Sequence, residues 1–330
     1  MMKFTRRALM ALTAATIALP AYAADTITLR MSTPASETDQ RSVALAEVFA
    51  PAVAGFATYE PHYNGSLIAQ GSELEAIASG DLEMSIASAQ ELAQFFPEFS
   101  IFATGYVHQD AAHQVAVFND PLMDSFKQTA EDELGVKLLS VMYLGRRHVN
   151  LRQTKDELTV MTPADLAGVN LRMPGTDAWQ FLGKALGANP TPMSFTEVYT
   201  ALQTGSVDGQ DNPLPTVVDA KFYEVTNQIA LTSHLVDLNY VAFSKTVWDG
   251  LSAEQQAQVQ AAADAAAESG RNKQLQKEED LVSFLKEQGL AVYEPDLKAF
   301  RTHVQGQYAG SELAASWPEG ALDKINALGN

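Results

Sequence analysis

Cysteine is absent from all 330 residues. Disulfides, thiolate metal centres and cysteine nucleophiles are therefore excluded. Stability must come from buried apolar surface, and the length suffices for two domains with substantial cores. Positive charge is scarce as well: 22 Lys and Arg stand against 40 Asp and Glu, a formal net charge of −18. That balance argues against nucleic acid and against anionic membrane surfaces as partners. It does not forbid a small anionic ligand, because a few buried arginines reverse the local potential.

Catalytic signatures are missing too. The six histidines are scattered, and His108 and His113 stand five apart without the spacing of a His-Glu-x-x-His zinc helix. There is no Gly-x-Ser-x-Gly elbow and no Walker loop. Glu73 with Glu75, and Glu279 with Asp280, are the carboxylate pairs that any acidic chain carries on solvated faces. No oxygen-rich cluster demands a cation, so no metal and no cofactor is expected.

Long apolar runs are confined to one place. Lys3, Arg6 and Arg7 precede an apolar run over residues 8–19, which Pro20 breaks before Ala21-Tyr22-Ala23. The run is shorter than the roughly 20 residues a spanning helix needs. This is the pattern of a secretory signal peptide cut after Ala23, and it predicts an exported, periplasmic protein. The twin-arginine hint in Arg6-Arg7 is weak, because Ala8-Leu9 follows.

Along the mature chain, strand and helix patterns alternate. Residues 26–32, 58–62, 82–87, 136–143 and 169–173 read as strands, and Asn64-Gly65-Ser66 reads as a turn. Residues 40–54 and 73–79 read as helices, the latter stopped by Gly80. Thr162-Pro163 and Ser194-Phe195-Thr196-Glu197 have the form of helix starts. Ser252 caps a stretch rich in Ala, Gln, Glu and Lys that runs to about residue 287, near 50 Å if continuous, with Ser269-Gly270 as a place to bend. Alternation of this kind implies an α/β fold with crossover helices.

One segment is highly specific: Leu171-Arg172-Met173-Pro174-Gly175, then Ala185-Leu186-Gly187-Ala188-Asn189-Pro190, then Phe195-Thr196-Glu197-Val198-Tyr199, then Val207-Asp208-Gly209-Gln210-Asp211-Asn212-Pro213. With Asn64-Gly65-Ser66-Leu67, Gly80-Asp81-Leu82-Glu83-Met84, Gly145-Arg146-Arg147 and Lys221-Phe222-Tyr223-Glu224-Val225, it resembles the DctP family across nearly the whole mature chain. These are the substrate-binding subunits of tripartite ATP-independent periplasmic (TRAP) transporters.

The resemblance implies a two-domain α/β clamp, each domain a mixed sheet flanked by helices, with the long helix spanning both. Residues 24–144 with 238–277 are expected to form the first domain, and 145–237 with 278–330 the second. Arg172 matches the arginine that grips the ligand carboxylate, a role its planar fork suits. Arg147 matches a second arginine, while Arg146 is expected to face the other way. Asn212 matches a ligand-contacting amide, with Asp211 standing where the family usually has Glu. Phe195 matches an aromatic against the ligand's apolar face. Ser88, Glu73, Thr33 and Asn239 are the candidates for specificity contacts, each with cap, turn or surface duty as the ordinary alternative. Residues 154–160 look like an insertion in a surface loop.

The expected ligand is a small carboxylate, best a sugar acid such as a uronate or aldonate, with a C4-dicarboxylate or sulfonate second. Ser88 stands where a sialate binder carries Glu, which argues against sialate. A monomer serving TRAP membrane subunits is expected. The rivals are a periplasmic enzyme acting on acidic carbohydrate and a binding module for a peptide or chemoreceptor.

Overall fold

The computed structural model describes residues 26–329. The signal-peptide reading of residues 1–23 lies outside them. Nine strands among the described residues form one mixed sheet: β1 (Ile27–Ser32), β2 (Ala57–His62), β3 (Met84–Ser88), β4 (Val136–Leu151), β5 (Asn170–Met173), β6 (Asn189–Pro192), β7 (Gly209–Asn212), β8 (Gln228–Ser244) and β9 (Ala291–Tyr293). Their order is β2-β1-β3-β8-β4-β7-β5-β6, with β9 beside β8.

Two strands organise the molecule. β4 and β8, of 16 and 17 residues, run antiparallel from Val136 opposite Ser244 to Leu151 opposite Gln228. β3 pairs with one end of β8, from Met84 opposite Phe243 to Ser88 opposite Asn239. β7 pairs with the other end of β4, from His148 opposite Asn212 to Leu151 opposite Gly209. Each half of the clamp is thus built on the same two strands.

The apolar pattern alone ends β4 near Tyr143, but the strand continues through Arg146 and Arg147 to Leu151. Gly145 makes the continuation possible. Its φ is +129°, beside a register shift between Tyr143 and Gly145. A Cβ there would lie 2.5 Å from Glu278 Oε1 and 2.6 Å from Pro213 Cβ. Only glycine fits, in conformation and in space.

Buried side chains fall into separate cores on the two halves. On the first half, one packs Phe99, Phe102, Phe126 and Tyr240, and another packs Phe49, Val53, Phe243 and Val259. On the second, one holds Trp179, Leu182 and Phe300, and another Val198, Leu202, Phe222 and Leu285. The final helix, Ala321–Leu328, places Ala321 and Ile325 in the first-half core with Phe99. The expected domain division puts residues 278–330 in the second half, whereas the apolar face of this last helix covers a first-half core.

The helix Ala253–Glu287 is continuous over 35 residues, opened by a reciprocal Ser252–Gln255 cap. It does not break at Ser269-Gly270. Gly270 instead permits close packing, since a Cβ there would sit 3.2 Å from Ala44 Cβ. Ala262, Ala263, Ala266 and Ala267 pack on the first half, and Leu285 on the second. Between them, Glu278 accepts hydrogen bonds from Arg146 N (2.8 Å) and Tyr143 Oη (2.7 Å). The helix is therefore tied to β4 where the halves meet.

Candidate ligand-binding cleft

The carboxyl ends of β1, β3, β5 and β7 converge between the halves, the usual ligand position for parallel strands in α/β folds. They enclose a cavity of about 200 Å³. The cavity is lined by seven of the eight residues singled out from sequence: Thr33, Ser88, Arg147, Arg172, Phe195, Asn212 and Asn239.

Arg172 stands at the end of β5 and is 1% exposed. Its Nε and Nη2 donate to the Met193 carbonyl at 2.9 and 2.7 Å, and Nη2 lies 3.5 Å from Gln70 Oε1. The Phe195 ring lies 5.9 Å from the guanidinium carbon. Among the described residues Arg172 forms no ion pair, unlike Arg41 and Arg147. Burial, with a smaller contribution from the Arg147 charge, pulls its pKa down to about 9. It remains a cation at neutral pH, without a counter-ion.

Arg147 is different. Its Nε donates to Asp237 Oδ2 at 2.6 Å, and Nη1 donates to the Asp211 carbonyl at 2.8 Å and lies 3.3 Å from Asp211 Oδ2. Its guanidinium stacks 4.4 Å from the Trp179 ring centre. Burial opposes the charge, but the two aspartates outweigh it and raise the pKa further. Asp211, fully buried, also accepts from His234 Nε2 at 3.1 Å. The Asp that replaces Glu at this position thus anchors Arg147. Arg146 points away and donates to the Gln109 carbonyl.

Asn212 is oriented by a polar chain: its Nδ2 donates to Gln210 Oε1 (2.6 Å), and Gln210 Nε2 donates to Asn150 Oδ1 (2.9 Å). Ser88 ends β3 and caps the next helix, exchanging hydrogen bonds with Glu91. Thr33 turns its hydroxyl to Ala35 N. Gly65 N donates to the Thr33 carbonyl, so the Asn64-Gly65 turn is held against the end of β1. Asn239 accepts from Arg41 Nη1 at 2.5 Å.

Glu73 is the exception. It is buried but does not line the cavity; its Oε2 accepts from Gly71 N at 2.6 Å and its Oε1 has no partner. Burial and the neighbouring Glu91 charge push its pKa up to about 8. It is a buried residue of the wall behind the cavity and not part of its lining.

Sequence reading missed Asp39, Arg41, Gln70, Glu91, Trp179 and Asp237, all of which line the cavity. Asp39 carried a faint signal, as the residue ahead of a helical stretch, and it does cap the helix Gln40–Ala44. Asp237 carried none, since its partner Arg147 is 90 positions away.

Comparison with known proteins is decisive at this point. The sequence profile of bacterial extracellular solute-binding protein family 7, DctP, matches residues 32–313. The chain belongs to this family. Its members are exported binding proteins of TRAP transporters, and among the described residues no helix is long and apolar enough to cross a membrane. The sialic acid-binding periplasmic protein SiaP of Vibrio cholerae is 31% identical over 255 residues, 77% of each chain. A TRAP solute-binding protein of Roseobacter denitrificans, solved with 3-deoxy-D-manno-oct-2-ulosonic acid bound, is 88% identical with a TM-score of 0.92, covering 92% of this chain and all of that one. A second protein of that organism, solved with L-galactonate, is 26% identical with a TM-score of 0.81, covering 92% and 99%. The α/β clamp expected from the resemblance is therefore this protein's fold.

Proposed function

We propose that this DctP-family protein captures a sugar acid through a single carboxylate held by Arg172 and delivers it to the membrane subunits of a TRAP transporter. One observation carries the reading: Arg172 is a buried guanidinium inside the cleft with no ionic partner among the described residues. A buried cation is costly unless it is paired. A ligand carboxylate supplies that pairing, and cleft closure excludes the water that would weaken it. The 88% identical relative, with its eight-carbon ulosonic acid, supports the same class of ligand and makes that compound the first to try.

Asn212 and Phe195 flank the carboxylate in this reading, while Arg147 supports the site from within the protein. The signal peptide is cut after Ala23, and the mature chain works as a monomer outside the cytoplasm. The two halves are residues 26–144 with 238–277 and 321–328, and residues 145–237 with the intervening part of the C-terminal segment. The protein uses no cofactor and performs no chemistry on its ligand. The string Thr232–His234–Asp211 has the form of a hydroxyl–imidazole–carboxylate relay, but all three residues are sealed at 0% exposure.

The test is a thermal-shift screen of the mature protein with ulosonic, uronic and aldonic acids, C4-dicarboxylates, neutral sugars and amines. Stabilisation by the sugar acids is expected. Stabilisation only by neutral sugars or amines, or by nothing, would sink the carboxylate reading, and a preference for C4-dicarboxylates would replace the sugar-acid one.

A further inference from the structure

Seven charged side chains line the cavity: Arg41, Arg147, Arg172, Asp39, Glu91, Asp219 and Asp237. Their pairing is uneven. Arg147 is matched by Asp237 and by Asp211. Arg41 sets its fork on Asp39, with Nε on Oδ1 at 2.9 Å and Nη2 on Oδ2 at 2.8 Å, and gives Nη1 to Asn239 Oδ1. The Arg41 charge and hydrogen bonds hold the Asp39 carboxyl below its ordinary range although burial pushes the other way. This second cation is therefore spent before any ligand arrives.

The two ends of the cavity also differ. The charges felt at Arg172 are those of Asp211, Arg147 and Glu197. Arg41 instead acts on Asp39, Glu91 and Asp219. Asp219 has Lys277 at 3.5 Å, outside the cavity lining, and Glu91 has no ion-pair partner among the described residues. Burial raises the pKa of both of these carboxyls, and neither supplies positive charge to a ligand at this end.

We infer that the cleft accepts one anionic group only, at Arg172, and that the Asp39–Arg41–Asn239 unit is a specificity element that reads hydroxyls at the far end and rejects a second carboxylate. This rests on the sugar-acid reading of the same site. A carboxylate arriving there meets a guanidinium whose fork is already filled, within an acidic wall, and juxtaposed like charges are a strong means of exclusion. A hydroxyl meets no such conflict. It can donate to Asp39 or Asp219 and accept from the two guanidinium N–H groups that remain of five, or from the Asn239 amide.

The discriminating pair is galactonate and galactarate, which differ only in a terminal CH2OH or COO⁻. Calorimetry on the mature protein at pH 7 should find galactarate about 100-fold or more weaker. Asp39→Asn keeps a good helix cap but frees the Arg41 charge, and should narrow the ratio at least about tenfold through a gain in galactarate affinity. Asp219→Asn, which touches no cap, should narrow it in the same direction if Asp39→Asn fails to fold. Equal affinities in the unaltered protein would overturn the inference while leaving the sugar-acid reading intact. A ratio unmoved in both variants would remove the role of the far-end charges. Absence of binding by either acid and by 3-deoxy-D-manno-oct-2-ulosonic acid would instead sink the sugar-acid reading itself, and this inference with it.

Discussion

Arg147 Nε lies 2.6 Å from the Asp237 carboxylate, so this cleft arginine is neutralised by the protein itself. Asp211 adds a second carboxylate at 3.3 Å. Removing the guanidinium leaves two buried carboxylates facing each other. Arg147→Ala should therefore destabilise the unliganded fold by about 3–5 kcal/mol, read by urea denaturation. Arg172→Ala removes a buried cation without an ionic partner and should cost less than Arg147→Ala by the same measurement. The reverse ranking would contradict the division of roles between the two arginines.

Ligand affinity should invert that order of sensitivity. Arg172→Ala should weaken binding of the best sugar acid by about 3–5 kcal/mol, roughly 150-fold to 4,000-fold. Calorimetry showing less than a tenfold loss would remove Arg172 as the anchor.

Gln70 reaches across the cleft. Its Oε1 accepts from Phe195 N at 2.7 Å and lies 3.5 Å from Arg172 Nη2, so a first-half loop is hydrogen-bonded to second-half residues. Gln70→Ala should open the unliganded form, seen as a larger radius of gyration in solution scattering. Ligand dissociation should accelerate by about fivefold to tenfold, the loss of one hydrogen bond of ~1–1.5 kcal/mol. Unchanged scattering together with an unchanged dissociation rate would show that Gln70 is no latch.

Glu73 gives a pH dependence. Its folded pKa, pushed up to about 8, lies above the ordinary 4.5, so the folded state holds this proton more tightly. The resulting stabilisation is complete below pH 4.5 and is lost as pH rises toward 8. Relative to Glu73→Gln, the unaltered protein should lose on the order of 3 kcal/mol across that window. His108 and His148, both pulled down to about 3 by burial, act oppositely below pH 6.5, but they are common to both proteins. Thermal unfolding from pH 5 to 8 in parallel gives the difference directly; a flat difference would contradict a protonated Glu73.

Local signals in the sequence located β1 to β5, several helix starts and the arginines of the cleft, but not β8 or the helices Ala111–Asn119, Leu122–Leu134 and Leu297–Ala309. Gly80, Ser194, Ser252 and Asn64-Gly65 are short-range stereochemical signals, and each does in the fold what its residue type predicts. Arg172, Asn212 and Phe195 stood in a contiguous motif. Pairings over long separations were not legible. Arg41 meets Asn239 across 198 positions and Gln70 meets Phe195 across 125, and no periodicity encodes either. Glu73 was misjudged for the same reason. Only the packed wall shows that its carboxyl turns to Gly71 and away from the cavity.

The sharing of β4 and β8 has a mechanical consequence. β4 and β8 cross between the halves as one antiparallel ladder, from Val136 opposite Ser244 to Leu151 opposite Gln228, so this pair of crossings is not a slack joint. Gly145 is the point where this two-stranded ribbon departs from regular strand, and the helix Ala253–Glu287 lies alongside it as a splint fastened by Glu278. Neither jaw can be cut free of the other without losing the strands at the centre of its own sheet.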